Sequence, residues 1–313
     1  MTNHAADRPM RVTVLRGGPS EEREVSLASG AAVADACRRI GHLVTEADAT
    51  PEDTSALDTP ADVVFPVIHG TFGEDGELQA LLEKRGVPFV GSDSRASALG
   101  MNKAEAKRIW RKQGLPTAPW VCVNAENLKQ EIGELKPPVA IKPVAQGSSV
   151  GVLLADTRQQ LVEYLDQSVR RWQRVLVEQR LTGKEVTVGI LAEEALPIVQ
   201  IRAAVEFYDY QAKYARTDTD YLFDIDVPEH VYRNIQEIAL RAFRAIGCRD
   251  YARVDLIVDD RLGPQLLEVN TIPGFTDHSL LPKAAGRAGI AFDALVARLL
   301  SLAVRRGTGK GGR

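Results

Sequence analysis

The sequence predicts an α/β and α+β protein in three units: an N-terminal parallel-sheet unit over residues 1–99, a central mixed unit over 100–185 and a C-terminal mixed unit over 186–313. Three observations carry this. Up to Leu99, short β-branched runs alternate with helical stretches, the order of strands joined by crossover helices. From Asn102 strands are joined through a glycine-serine loop and flanked by helices, the order of an α+β unit. With 313 residues, 44% hydrophobic and 26% charged, the chain has apolar material for two or three cores.

In the first unit "RVTVLRGG" (Arg11 to Gly18) reads as a strand ending in a tight turn, and "SEEREVSLASGAAVADACRRIG" follows with helical spacing and stops at Gly41. Ala47 to Pro60 is polar and turn-like. "DVVFPVIHG" reads as a second buried strand, "DGELQALLEKRG" as a helix closed by Gly86, and "VPFVG" as a further strand. In the second unit "NKAEAKRIWRKQG" is an amphipathic helix and "APWVCV" a strand. "PVAIKPV" and "VGVLLA" are strands around the loop "AQGSSVG", followed by the helix "RQQLVEYLDQSVRR" and the strand "RVLVEQRL". The third unit opens with "EVTVGILAEEALPIVQIR", two strands around an acidic turn. The helix "EHVYRNIQEIALRAFRAIG", the hairpin-like "YARVDLIVDDRLGPQLLEVN" and the helix "AFDALVARLLSLAV" complete it. The tail "RRGTGKGGR" has nothing to bury and is expected to be disordered from about residue 305.

Composition narrows the function classes. A formal net charge of −3 gives no electrostatic reason to expect nucleic acid or an anionic membrane as partner. Cys37, Cys122 and Cys248 are odd in number and far apart, which leaves neither a disulfide framework nor a C-x-x-C metal knuckle. No stretch reaches the ~18 apolar residues of a membrane span, and "MTNHAADRPM" lacks the apolar core of a signal peptide. The expectation is a soluble cytoplasmic protein acting on small molecules.

Two stretches carry chemistry. In "ARVDLIV" Arg253 and Asp255 share a strand face, and in "LLEVN" Glu268 and Asn270 do the same. If these strands pair, two carboxylates and an amide oxygen converge as hard ligands suited to Mg²⁺ on phosphate oxygens. The plainer alternative is an Arg253–Glu268 salt bridge on an exposed face, with Asn270 serving only the turn. In "IKPVAQGSSVGV", Lys142 ends an apolar strand before a loop whose backbone N–H groups and hydroxyls can face an anion, although such a loop is also an ordinary hairpin tip. Neither a Walker A loop nor G-x-G-x-x-G is present.

Taken together and in order, "GGPSEEREVSLASG", "HGTFGEDGELQ", "GMNKAEAKR", "IKPVAQGSSVGV", "EFYDYQAKY", "ARVDLIV" and "LLEVNTIPGFTDHSLLPK" resemble the signature segments of the D-alanine–D-alanine ligase family of the ATP-grasp superfamily. The resemblance runs from Gly17 to Lys283. It implies a three-domain ATP-grasp architecture with an N-terminal pre-ATP-grasp domain, a homodimer, and ADP-forming ligation of two D-alanines for peptidoglycan synthesis. Two Mg²⁺ ions are implied as cofactors with ATP, with Mn²⁺ as a possible substitute.

The same resemblance assigns roles. Lys103 and Lys142 contact ATP phosphates, Glu178 and Glu185 take the adenine amino group and ribose, and Leu181 and Lys213 lie against the nucleotide. Ser148 and Ser149 close over the γ-phosphate. Asp255, Glu268 and Asn270 hold metal, Asn270 also facing the nucleotide. Glu22, Val25 and His69 receive the first D-alanine; Arg253 and Gly274 stabilise the oxyanion; Ser279 and Leu280 take the carboxylate of the second. Glu22, Ser148 and Tyr214 form a hydrogen-bonded triad, with Tyr214 selecting D-alanine as second substrate. Plainer accounts exist for some of these: an acid at a helix start is favoured by the macrodipole, so Glu22 could be a cap, and His69 could be structural. A different second substrate (D-lactate, D-serine or another amino acid) stays open, as does a nucleotide-binding module without ligase activity. The connection from Val44 to Asp62 is short against the family pattern.

Overall fold

The computed structural model describes residues 8–147, 150–202 and 220–308. Its N-terminal sheet is parallel, as the alternation of strands and helices requires. β1 (Arg11–Arg16) lies between β2 (Leu43–Asp48) and β3 (Val63–Pro66), with α1 (Arg23–Arg39) crossing from β1 to β2. β2 corrects the reading of Ala47 onward as turn. It is an edge strand whose residues are exposed or half-buried, so its sequence "LVTEAD" carries no continuous apolar run. Only a short 3-10 turn, Ser55–Asp58, occupies the rest of that connection. "VPFVG" is likewise not a full strand: it makes one bridge, Phe89 to Val64, beside β3.

α2 (Glu77–Arg85) ends at Gly86, whose φ of 66° is the left-handed value that closes a helix. A further helix, α3 (Ser94–Met101), precedes the expected one. Its small residues hide the periodicity, and the Asp93 carboxylate accepts from Ala96 N to cap it. Asn102 caps α4 (Lys103–Lys112) in the same way.

The central sheet is antiparallel in the order β4-β7-β5-β6, formed by β4 (Trp120–Val123), β5 (Val139–Pro143), β6 (Leu153–Ala155) and β7 (Val175–Gln179). α5 (Leu128–Glu134) and α6 (Arg158–Trp172) cover it, the latter started by a Thr157–Gln160 capping box. The third sheet contains β8 (Gly183–Leu191), β9 (Glu194–Ala195), β10 (Val199–Arg202), β11 (Asp220–Leu222), β12 (Tyr251–Asp259) and β13 (Gly263–Asn270). β12 runs between β8 and β13, antiparallel to both. α7 (Glu229–Ile246) packs on this sheet.

The last helices, α8 (Leu280–Arg287) and α9 (Phe292–Thr308), return to the first unit. Phe275 is the hub: its ring meets Phe65 of β3 and Tyr251 of β12 edge-on, each at 5.6 Å between centroids. One buried cluster therefore contains Val14 and Val33 from the N-terminal unit together with Leu281, Leu295 and Leu299. The Arg306 guanidinium donates to the Asp250 carboxylate and, at 2.9 Å, to the Phe89 carbonyl. These contacts carry α9 to Thr308, past the point near 305 where composition places a disordered tail; Val304 packs against the core there.

Candidate functional site

The β12–β13 register sets Asp255 directly opposite Glu268 and Arg253 opposite Asn270. Side chains two apart share a face, so all four look toward one place. That face is buried rather than solvated: Arg253 and Asp255 are each 6% exposed. Arg253 donates from Nε and Nη2 to the two Asp255 oxygens, both at 2.9 Å, and Thr187 Oγ1 on β8 donates to Oδ1 at 2.5 Å. Lys103 Nζ stands 3.1 Å from Glu268 Oε2. The Asn270 amide oxygen accepts from Ile272 N at 2.9 Å, so it does serve the turn, as the plainer account had it. Two carboxylates already balanced by cations, with an amide two residues along, are a hard-oxygen donor set that fits Mg²⁺.

Above this face lies a cavity of about 340 Å³ between the central and third sheets. Apolar walls come from Ala140, Val152, Leu154, Leu181 and Ile257, and polar groups from Lys103, Lys142, Glu178 and Glu185. Glu178 on β7 is 2% exposed and holds two lysines. Lys142 of β5 contacts Oε1, and Lys107 of α4 lies 2.7 Å from Oε2. Burial alone would push the Glu178 carboxyl up; Lys142 and Lys107 outweigh it and hold the group down at about 2. Burial pulls the Lys142 ammonium down, and Glu178 more than offsets this, so its pKa ends raised. For Lys107 burial wins, and its pKa is lowered despite Glu178.

A second cavity of about 40 Å³ adjoins the first and shares Lys103 and Glu268 with it. Glu22, His69, Glu74, Arg253, Asn270 and Gly274 line it. Glu22 immediately precedes α1, yet its side chain makes no capping hydrogen bond. His69 is 3% exposed and fixed at both ring nitrogens, Nε2 at 3.3 Å from Ser29 Oγ and Nδ1 at 3.3 Å from Glu74 Oε1. Burial raises the Glu74 pKa, with the His69 hydrogen bond opposing. Ser29 Oγ also accepts from Phe275 N at 3.1 Å, which ties the α1 end of the site to the turn carrying Gly274. A side chain at Gly274 would set its Cβ 2.9 Å from Ser279 Oγ. Ser279 occupies the N-cap position of α8 without a side-chain capping hydrogen bond; its Oγ accepts instead from Thr276 N at 3.0 Å, within the same turn, and Leu280 is the first residue of the helix.

The sequence of the protein matches two family models: "D-ala D-ala ligase N-terminus" over residues 41–92 and "D-ala D-ala ligase C-terminus" over 109–301. A D-alanine–D-alanine ligase of Syntrophotalea carbinolica is 43% identical over 93% of this chain and 95% of its own, and one of Alcanivorax borkumensis 42% identical over 96% and 95%. This chain belongs to the D-alanine–D-alanine ligase family. Solved structures agree. The Bacillus anthracis D-alanine–D-alanine ligase complexed with ATP superposes with a TM-score of 0.82 at 31% identity, covering 97% of this chain and all of that one. The VanG D-Ala:D-Ser ligase of Enterococcus faecalis gives 0.83 at 27% identity, over 94% and 99%. The fold is thus that of the ligase family, and the ATP-grasp expectation holds.

Against this ligase framework the expected site residues sort clearly. Lys103, Lys142, Glu178, Leu181, Glu185, Asp255 and Glu268 line the larger cavity; Glu22, His69, Arg253, Asn270 and Gly274 line the smaller. Val25, half-buried in α1, lines neither, and nor do Ser279 and Leu280 at the start of α8. Ser148, Ser149, Lys213 and Tyr214, and with them the triad, lie outside the described residues. Three site neighbours were not singled out from the sequence: Lys107, Glu74 and Thr187. Lys107 had a readable signal, a lysine one helical turn after Lys103 on the apolar side of α4.

Proposed function

We propose that this protein joins two D-alanines into D-alanyl-D-alanine, converting ATP to ADP and phosphate and supplying the dipeptide for peptidoglycan precursors. The observation that carries this reading is the junction of the cavities at Lys103 and Glu268: a nucleotide-sized chamber opens onto a small cationic and acidic one. ATP lies in the larger cavity, its base against Leu154, Leu181 and Ile257 and its phosphates toward Lys103 and Lys142. Glu178 already carries two ammonium groups, so its carboxylate acts here chiefly by holding Lys142. Asp255, Glu268 and Asn270 are the residues that would hold magnesium, which when bound would supply charge neutralisation for the phosphates.

The first D-alanine sits in the smaller cavity, its ammonium at Glu22 and its carboxylate near His69. A carboxylate oxygen attacks the γ-phosphorus, the bond to ADP breaks, and D-alanyl phosphate forms. The second D-alanine, its carboxylate on Ser279 and the Leu280 N–H, attacks the acyl carbon with its free amine. Arg253 and the backbone at Gly274 stabilise the oxyanion, phosphate leaves, and the nitrogen loses one proton as the amide forms. Ser148, Ser149, Lys213 and Tyr214 belong to this proposal as the groups that close over the phosphates and select the second substrate. A homodimer through the N-terminal unit is part of the same reading and is checked by light scattering. The supply of ATP places the reaction in the cytoplasm, and among the described residues no helix is long and apolar enough to cross a membrane.

The test is ADP release by purified protein with ATP and Mg²⁺, comparing no amino acid, D-alanine, L-alanine, and D-alanine with D-lactate or D-serine, products being identified by mass. Release that requires D-alanine and yields its dipeptide is expected. Mixed products only, or ATP binding without amino-acid-dependent release, would replace the reading with another ligase or a binding module.

A further inference from the structure

Helix α4 points two lysines, one turn apart, at carboxylates on different sheets: Lys103 at Glu268 of β13 and Lys107 at Glu178 of β7. Lys103 lines both cavities. Lys107 lines neither, and its side chain is 1% exposed. Its ammonium is held on three sides, 2.7 Å from Glu178 Oε2, 2.5 Å from Thr117 Oγ1 and 3.3 Å from the Leu266 carbonyl. Burying a lysine this completely carries a desolvation penalty that a neutral side chain of the same volume would avoid. Packing alone therefore does not account for a charge here.

The arithmetic of the cluster suggests what the charge does. Lys103 and Glu268 cancel, whereas Lys107 and Lys142 share the single Glu178 carboxylate, one on each oxygen. Glu268 and, less strongly, Glu185 act on Lys142 as well, both more weakly than Glu178. Lys142 is the member of the shared pair that reaches the cavity, with 15% of its side chain exposed.

We infer that Lys107 is a positioning residue for the phosphates of the nucleotide, acting through Glu178: by occupying one carboxylate oxygen it leaves Lys142 only partly neutralised and so keeps positive charge in the cavity for an anion. Without Lys107, Glu178 would belong wholly to Lys142, and the pair would face the phosphates as a neutral unit. Burial pulls the Lys107 pKa down, and the positive charge of Lys142 acts in the same direction. The inference rests on the larger cavity being the nucleotide site.

The experiment compares binding of ADP and of adenosine to the full-length wild type, Lys107→Met and Lys107→Arg by calorimetry, with folding followed by circular dichroism. In Lys107→Met the ADP dissociation constant is expected to rise about tenfold or more while that of adenosine moves by less than about twofold, and Lys107→Arg is expected to recover most of the loss. A purely structural lysine would weaken both ligands by one factor or neither, and either result overturns the inference. Lys107→Gln, which removes the charge but keeps a polar donor, carries the same expectation and is read in place of Lys107→Met if that variant does not fold. Failure of the wild type to bind either ligand would sink the nucleotide site itself, an outcome distinct from an unchanged ADP-to-adenosine ratio.

Discussion

The two cavities are built differently. The larger is walled by strands of two sheets, and its lysines stand on carboxylates: Lys142 shares Glu178 with Lys107 behind the wall, and Lys103 stands on Glu268. The smaller collects residues from loop ends of distant segments, with Glu22 before α1, His69 after β3 and Gly274 after β13. Its order comes from cross-links such as His69 to Ser29 and Ser29 to Phe275 N. A chamber made of strands tolerates loss of one wall residue; one made of loop ends depends on the contacts that hold the loops together. Mutations in the first should therefore act mainly on nucleotide binding, and mutations in the second on amino-acid binding and rate.

Glu268 belongs to both, so its loss should have the largest effect. Glu268→Gln is expected to lower kcat at least ~100-fold, because a metal donor and the partner of Lys103 go together; near-normal ADP release by the variant would remove Glu268 from the metal set. Next comes Arg253→Met, expected to lower kcat by about 100-fold through loss of oxyanion stabilisation while leaving ADP affinity within a few-fold. A matching collapse of ADP affinity would erase the distinction between the cavities.

Gly274→Ala sharpens the comparison from the other side. The added Cβ would crowd Ser279 Oγ, so the KM for the second D-alanine should rise about tenfold with the KM for ATP unchanged. Steady-state kinetics with each substrate varied separately decides it.

The smallest effect expected is one of stability. Glu178 is held at about 2 against an ordinary 4.5, so its ion pairs stabilise the fold fully above pH 4.5 and lose that contribution as pH falls toward 2. In urea melts the midpoint of Glu178→Gln should lie below that of the wild type near neutral pH, and the gap should narrow between about pH 5 and pH 2.5. A gap that stays constant over that range would mean the carboxylate is not depressed.

Much of this was legible in the sequence because short-range rules apply to it. The period-2 pattern of "ARVDLIV" and "LLEVN" places Arg253, Asp255, Glu268 and Asn270 on one face once the strands pair, and they do. The weak elements were not legible. β2 is a half-exposed edge strand without an apolar run, α3 is an eight-residue helix whose small residues carry little periodicity, and α8 is equally short with Pro282 in its first turn. Glu74 gave no sign of burial either, since that follows from the packing of a loop against His69.

By itself, then, the sequence determined the parallel N-terminal sheet, the helices with strong amphipathic patterns and the strand face that bears the carboxylates, because each depends on residues close in the chain. Tertiary structure alone decided that α4 reaches both sheets, that Lys107 shares Glu178 with Lys142, and that Phe275 joins the C-terminal turn to the N-terminal core. Those contacts join segments far apart in sequence, and burial is what gives them weight: a lysine or glutamate on a helix or strand is an ordinary surface charge until another unit removes the water around it.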